Sequence, residues 1–201
     1  MTTRAEWNER YAEGDVPWDK GEAAPPLREW LAENRFEGKV LVPGAGAGHD
    51  AGLIAERCPD AEVIGLDIAP LAVAQAASRY RLVNLRFLEG DLFTWPGNGA
   101  GPFHWVVEHT CFCAIDPARR DEYAGAVARL LAPRGRLWAV FYLDPYDDEH
   151  VPGGGPPHGA TTAELDAHFN PAFTTSAEWI PGAAYAGREG RELVRVLEKR
   201  D

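Results

Sequence analysis

Three glycines alternate with alanines in Pro43-Gly-Ala-Gly-Ala-Gly48, after an apolar run at 39–42 and before a helical pattern at 50–57. Glycine at 44, 46 and 48 permits a tight strand-to-helix turn and lets a ligand lie against bare backbone. The helix N-terminus beyond it offers free N–H groups to a negative or polar ligand group. Asp67 ends the next apolar run, and Asp91 follows the third. A carboxylate at 67 can accept both hydroxyls of a ribose. A polar side chain at 91 can accept a hydrogen bond from an adenine amino group, with Leu92 and Phe93 against the ring. Trp7 and Tyr11 are four apart and share a helix face. Together with Trp18 they form aromatic surface, which attracts a cation and excludes water.

The glycine spacing separates two ligand classes. A dinucleotide fingerprint places its third glycine at 49, where this chain has His49. Glycines at 44, 46 and 48 match the spacing of S-adenosylmethionine enzymes, whose ligand has no pyrophosphate to cradle and carries a sulfonium cation. Each feature also has a purely structural reading. The loop can be a bare turn, Asp67 a cap for the segment after Pro70, Asp91 a turn residue, and the aromatic face sheet packing. Two further functional readings compete. A non-catalytic module could bind S-adenosylmethionine as a sensor. A nicotinamide-dependent oxidoreductase is disfavoured by His49 and by the aromatic N-terminus.

The elements that must position these residues are legible as an alternation. Residues 1–36 hold two short helices around a Pro-broken loop. Strands are expected at 39–42, 62–66, 85–88, 103–107 and 136–143, with helices at 50–57, 70–80 and 116–131. Asp116 would cap the last of these, with Pro117 at its first position. Strands separated by helices imply βαβ units and a parallel sheet, an α/β fold. Residues 145–160 form a Pro/Gly-rich loop or lid expected to shape the acceptor pocket. Thr161 and Glu164 form a capping-box pattern opening a helix to 168, and strands follow near 172–180 and 192–198. The reading is one domain over 1–201: a cap segment at 1–36, a cofactor-binding core at 37–144, the loop at 145–160 and a C-terminal part at 161–201.

The chain has 201 residues, 45% apolar content and a net charge of −11. That suits one buried core and is repelled by phosphate backbones and anionic lipid heads, so neither nucleic acid nor membrane is an expected partner. The three cysteines, Cys58, Cys111 and Cys113, form no Cys-x-x-Cys pair. Neither disulfides nor a metal site is expected, and Cys111 and Cys113 read as small buried hydrophobes. His150, His158 and His168 are dispersed and read as solvent-exposed. No apolar leader or spanning run is present, so the expected location is the cytoplasm. A monomer, or at most a weak homodimer, is the expected state.

Several longer stretches carry a family resemblance across roughly residues 6–199. They are Pro17-Trp18-Asp19-x-Gly21, Val42-Pro-Gly-Ala-Gly-Ala-Gly-His-Asp50, Gly65-Leu-Asp-Ile68, Gly90-Asp-Leu-Phe-Thr-Trp95, Glu108-His-Thr-Cys-Phe-Cys-Ala-Ile115, Leu131-Ala-Pro-Arg-Gly135 and Gly187-Arg-Glu-Gly-Arg-Glu192. In these the chain resembles the thiopurine S-methyltransferase family, and within it the smaller thiol and halide methyltransferases. The resemblance implies a Rossmann-like class I methyltransferase with a seven-stranded, mostly parallel sheet, helices on both faces and one antiparallel strand. It implies S-adenosylmethionine as cofactor and an N-terminal segment folded over it. Carried onto this chain, Trp7, Tyr11 and Trp18 face the cofactor, Gly44 lies under its methionine part beside Gly46 and Gly48, and Asp67 binds the ribose next to Ile68. Asp91 and Leu92 bind the adenine, and His109 lies near the sulfonium. Tyr11, Ala45, His104 and His109 depart from residues common in the family.

Methyl transfer from a sulfonium is an in-line displacement from an activated donor, so positioning and desolvation matter more than acid–base chemistry. The expected acceptor is a small soft nucleophile: a thiol, sulfide, halide or metalloid. A neutral thiol must lose a proton, which makes His109 and Glu108 the candidate bases. Arg188 and Arg191 are the candidates for meeting an anionic acceptor.

Overall fold

The computed structural model describes residues 3–97, 99–145 and 156–201. Its seven strands are β1 (Lys39–Pro43), β2 (Glu62–Asp67), β3 (Leu85–Glu89), β4 (Phe103–His109), β5 (Leu131–Tyr142), β6 (Phe173–Trp179) and β7 (Glu192–Lys199). They form one sheet in the order β3-β2-β1-β4-β5-β7-β6. The first five run parallel, and β7 lies antiparallel between β5 and β6. The chain winds from β1 outward to β3, then returns to the other side of β1 for β4 and β5. At that reversal the connections leave in opposite directions, and the crevice beyond the strand ends is where ligands lodge in such sheets.

Central strands with apolar side chains on both faces need two covers. On one face Val40, Val42, Val63, Val107, Trp138, Val140 and Val194 pack with Leu27 and Leu31 of α2 (Pro25–Glu33) and Ile54 of α3 (His49–Arg57). On the other, Leu41, Ile64, Val106, Leu137 and Phe141 pack with Tyr123 and Val127 of α5 (Arg120–Leu130) and with Leu165 and Phe169 of α6 (Thr162–Phe169). Each such large side chain contributes roughly 1.5–3 kcal/mol when fully buried.

The N-terminal helix α1 (Arg4–Glu13) begins in a capping box between Thr3 and Glu6 and ends at Gly14 in the left-handed conformation, φ 73°. It rests on the start of α4 (Pro70–Arg79), where Tyr11 packs with Ala69 and Ala72. The Leu71 N–H donates to Asn8 Oδ1 at 2.9 Å, which pins one element to the other.

The expected helix over 116–131 is divided. Asp116 accepts from Ala118 N at the head of a 3-10 turn, Pro117–Arg119, and the α-helix starts only at Arg120. Strand β5 starts at Leu131, earlier than expected. The register runs from Phe103↔Leu131 to Trp105↔Arg136, so residues 132–135 bulge outward, with Arg134 at φ 56°. Pro133 has no N–H for a ladder, so the bulge absorbs it.

Candidate active site

The glycine turn leaves β1 with Gly44, Gly46 and Gly48 all at positive φ, 59°, 53° and 85°. Its floor is tight: a Cβ on Gly44 would lie 3.0 Å from Cys111 Sγ, and one on Gly48 would lie 2.7 Å from the Phe87 ring. Asp67, at the end of β2, holds the turn in place. Its Oδ2 accepts from Gly46 N at 2.8 Å and its Oδ1 from Ala69 N at 2.8 Å. Burial pushes the Asp67 carboxyl above its ordinary value, against the lowering effect of these backbone donors.

The aromatic residues expected to work together do meet. Trp7 and Trp18 contact edge-to-face at 5.3 Å, Tyr11 and Trp18 at 5.9 Å. Trp18 Nε1 donates to the Tyr11 hydroxyl at 3.2 Å, and a Cβ on Gly46 would sit 3.0 Å from that hydroxyl. Burial, and then the nearby Asp67 charge, push the Tyr11 phenol up, so it stays protonated. Asp19 clasps this cap to the glycine turn. Its Oδ1 accepts from Gly21 N at 2.8 Å and lies 3.0 Å from His49 Nε2. His49 Nδ1 in turn meets the Tyr80 hydroxyl at 2.9 Å. The residue that replaces the dinucleotide glycine is therefore a structural clasp.

At the end of β4 the two candidate bases point to opposite faces of the sheet, as strand periodicity dictates. Glu108 is fully buried on the α5 side. It accepts from Phe112 N at 2.7 Å and, closely, from the Tyr123 hydroxyl. Burial pushes its carboxyl up to about 7, against the lowering effect of those two donors. Its hydrogen bonds fix the turn 110–115. His109 points to the α3 side, where its Nδ1 lies 2.8 Å from Asp50 Oδ2. Asp50 Oδ1 accepts from Ala24 N at 2.7 Å. Burial disfavours charge on both partners. Their mutual attraction and hydrogen bond outweigh it, so the Asp50 carboxyl is held low and the His109 ring high.

A cavity of about 800 Å³ opens over the strand ends at the reversal point. Its wall includes Trp7, Tyr11, Trp18, Gly44, Asp67, Ile68, Asp91 and Leu92, and also Cys113, Ile115, Tyr142, Pro157 and Arg188. Gly46, Gly48, Glu108, His109 and Arg191 do not line it. Asp91 Oδ1 accepts from Phe93 N at 3.0 Å, an Asx turn that fixes the carboxylate at the cavity wall. The Arg188 guanidinium lies 4.7 Å from the Tyr142 ring centroid and 5.3 Å from that of Tyr185, with Nη1 3.2 Å from Glu192 Oε1. Arg191 serves this corner through its backbone, donating to Arg188 O at 3.0 Å and accepting from Leu143 N at 2.8 Å. Of the 145–160 loop, Pro156 and Pro157 reach the cavity, and 146–155 lie outside the described residues. His150 falls there too. His168 Nδ1 lies 2.7 Å from Asp121 Oδ1, with a side chain 20% exposed, so it is not the free surface histidine expected.

Sequence reasoning missed several residues. Cys111 and Cys113, read as plain core, both line the cavity; their signal is their place just past the end of β4. Burial pushes Cys113 up to about 12 and Cys111 well above the ordinary thiol value. Asp19, Asp50, Tyr142 and Glu192 act through tertiary contacts that no local spacing announces. Among the described residues no group of three or more His, Cys, Asp or Glu could hold a metal ion, and no helix is long and apolar enough to cross a membrane.

The doubly wound sheet and the cavity at its reversal point define a Rossmann-like class I methyltransferase fold. Solved structures agree. One is from work on conversion of a disulfide bond into a thioacetal group during echinomycin biosynthesis. It superposes with a TM-score of 0.77 at 20% identity, covering 98% of this chain and 92% of that one. A Burkholderia thailandensis 1,6-didemethyltoxoflavin-N1-methyltransferase, with bound 1,6-didemethyltoxoflavin and S-adenosylhomocysteine, gives 0.73 at 21% identity, covering 98% and 87%. In sequence, the thiopurine S-methyltransferase family matches residues 2–179. Probable thiol methyltransferase 2 of Arabidopsis thaliana is 33% identical over 199 residues, and thiocyanate methyltransferase 1 of the same plant is 35% identical over 200. Each alignment covers 96% of this chain and 84% of the relative. The chain belongs to the thiopurine S-methyltransferase family and is an S-adenosylmethionine-dependent methyltransferase.

The residues present fit that cofactor. The cavity is large enough for a nucleoside with an amino-acid arm. It offers aromatic faces for a sulfonium, a buried carboxylate for ribose hydroxyls and the apolar Ile68 and Leu92 for a base.

Proposed function

We propose that this enzyme methylates a small soft nucleophile: a thiolate, hydrosulfide, halide, thiocyanate or metalloid anion. The observation that carries the reading is a cavity wall that joins aromatic residues and carboxylates to the Arg188 guanidinium, whose side we take as the acceptor end. The aromatic rings and carboxylates suit a cation, and Arg188, which contacts the rings of Tyr142 and Tyr185, suits an anion.

S-adenosylmethionine, when bound, supplies a methyl group already activated by its sulfonium. On this reading Trp7, Tyr11 and Trp18 face that cation and keep water out, Gly44 leaves room for the methionine arm, and Asp67 takes the ribose hydroxyls. Gly46 and Gly48 shape the turn. Asp91, Leu92 and Ile68 hold the adenine side. Arg188 draws in the acceptor anion, and Arg191 braces the turn that carries it. A soft anion reacts slowly in water because its hydration shell holds it, and a pocket walled by rings and thiols strips that shell. The acceptor's lone pair forms the new bond to carbon while the carbon–sulfur pair returns to sulfur. An acceptor already ionised has no proton to give up. The placement of Glu108 and His109 off the cavity supports this: both act as positioning groups rather than bases.

The proposal includes a single catalytic domain over 1–201, working as a monomer in the cytoplasm on a small-molecule acceptor. Three free cysteines and the charge of −11 support a reducing compartment and no nucleic-acid or membrane partner. The test is a product assay with S-adenosylmethionine and, separately, iodide, hydrosulfide, thiocyanate and a small thiol. Methylated product is expected from at least one, with KM for the anionic acceptors raised about tenfold in Arg188→Gln. Turnover confined to nitrogen or carbon acceptors contradicts the soft-anion reading, and binding without any product favours a sensor.

A further inference from the structure

Strand registers place a second charge system behind the acceptor end. His109 of β4 lies opposite Val140 of β5, Val140 opposite Val194 of β7, and Tyr142 opposite Glu192. Cross-strand partners project to the same face, and so do alternate residues along a strand. His109, Tyr142 and Glu192 therefore share one face of the sheet. Glu192 is 1% exposed and gives Oε1 to Arg188 Nη1, while the His109 side chain is 9% exposed and bound to Asp50. His109 Nε2 and Glu192 Oε2 are both buried without a hydrogen-bond partner among the described residues.

The charges around His109 come from every element packed on it. Asp50 comes from α3, Glu192 from β7, and Arg188 from the segment before β7. Tyr185 lies over the ring at a centroid distance of 6.0 Å, with its hydroxyl donating to Glu22 O. His49 acts on the same Asp50. Burial raises the Tyr142, Tyr185 and Cys113 groups, so they stay neutral. With His109 protonated, Asp50, His109, Glu192 and Arg188 alternate in sign and sum to zero. With His109 neutral, the cluster carries one net negative charge directly behind the acceptor end.

We propose that His109 is a positioning residue for acceptor charge: its proton offsets one of the two buried carboxylates, Asp50 and Glu192, so that the Arg188 guanidinium, still held by Glu192, faces the acceptor without a net negative charge behind it. The inference rests on Arg188 as the anion contact. It makes His109 neither a base nor a cofactor ligand but a charge that sets acceptor preference from outside the cavity.

Iodide is the probe, because its own charge does not change with pH. KM and kcat are measured for iodide at saturating S-adenosylmethionine between pH 6 and pH 9. In the wild type, KM is expected to rise about tenfold as His109 loses its proton, with little change in kcat. His109→Gln keeps a donor for Asp50 but no charge; its KM is expected to be high and flat with pH. Glu192→Gln keeps an oxygen for Arg188 but no charge, and its KM is expected to fall. Opposite signs from two buried neighbours cannot come from a general loss of packing. A wild-type KM that is flat with pH overturns the proposal without any variant. So does a profile that persists in His109→Gln, which assigns the titration to another group, Glu108 first. If Arg188→Gln leaves KM for iodide unchanged, the anion contact itself is misplaced. If Arg188→Gln raises KM while the wild-type profile is flat, only the role of His109 falls.

Discussion

The Asp67 carboxylate accepts the Gly46 N–H at 2.8 Å and so ties the end of β2 to the turn after β1. The same side chain lines the cavity. One residue thus shapes the loop and offers the ribose contact. Asp67→Ala is expected to weaken S-adenosylmethionine binding by about tenfold to a hundredfold, the usual range for losing a charge-assisted hydrogen bond. Trp18→Ala, which removes a ring and the Tyr11 hydrogen bond, is expected to weaken it severalfold. Titration calorimetry reads both. Unchanged affinity in both variants means that this end of the cavity is misassigned.

Gly48 sits at φ 85° with the Phe87 ring 2.7 Å and the Ala76 Cβ 2.9 Å from where its own Cβ would be. Neither neighbour is a flexible chain end. Gly48→Ala is expected to destabilise the protein by about 1–3 kcal/mol through backbone strain and overlap. Urea unfolding gives the number, and a variant as stable as the parent contradicts the strained turn.

Glu108 is fully buried, and burial pushes its carboxyl up to about 7 from the ordinary 4.5. A raised folded-state pKa means that the folded protein binds this proton more tightly than the unfolded chain. The group's stabilising contribution is complete below about pH 4.5 and is lost as pH rises through about 7. It is worth on the order of 3 kcal/mol. Glu108→Gln, which cannot ionise, should lose this part of the pH dependence and gain on the wild type between pH 5 and pH 8. Parallel stability curves for the two proteins sink the assignment.

Cys111 and Cys113 border the cavity, yet burial holds both as thiols at neutral pH. Iodoacetamide reacts with the thiolate, so labelling of these two is expected to be slow at pH 7.5 and much slower than for an exposed cysteine. Mass spectrometry of the native protein checks this. Rapid modification of Cys113 means that its surroundings stabilise the anion.

Much of the fold was legible because it is written in local patterns. Apolar runs ending at Pro43, Asp67 and Glu89 became β1, β2 and β3, and the glycines after Pro43 became the turn beneath the cavity. The aromatic trio was legible because helical spacing puts Trp7 and Tyr11 on one face. What stayed hidden depends on distant partners. Local sequence gives Glu108 and His109 equal claims as bases. Only the strand's alternation, together with Tyr123 and Asp50 on opposite faces, turns both away from the cavity. The division of the 116–131 helix was missed because Pro117 suits the first turn of a 3-10 helix as well as of an α-helix. The bulge at 132–135 was missed because Pro and Gly there read as a simple loop.

The most direct test of the account is one calorimetric titration of the wild-type protein with S-adenosylmethionine, S-adenosylhomocysteine and NADH, followed by a product assay of the same samples against hydrosulfide, iodide and small thiols. The account predicts saturable binding of both sulfur ligands, none of NADH, and a methylated product from a soft anion. Tight NADH binding, or no binding of either sulfur ligand, would contradict it.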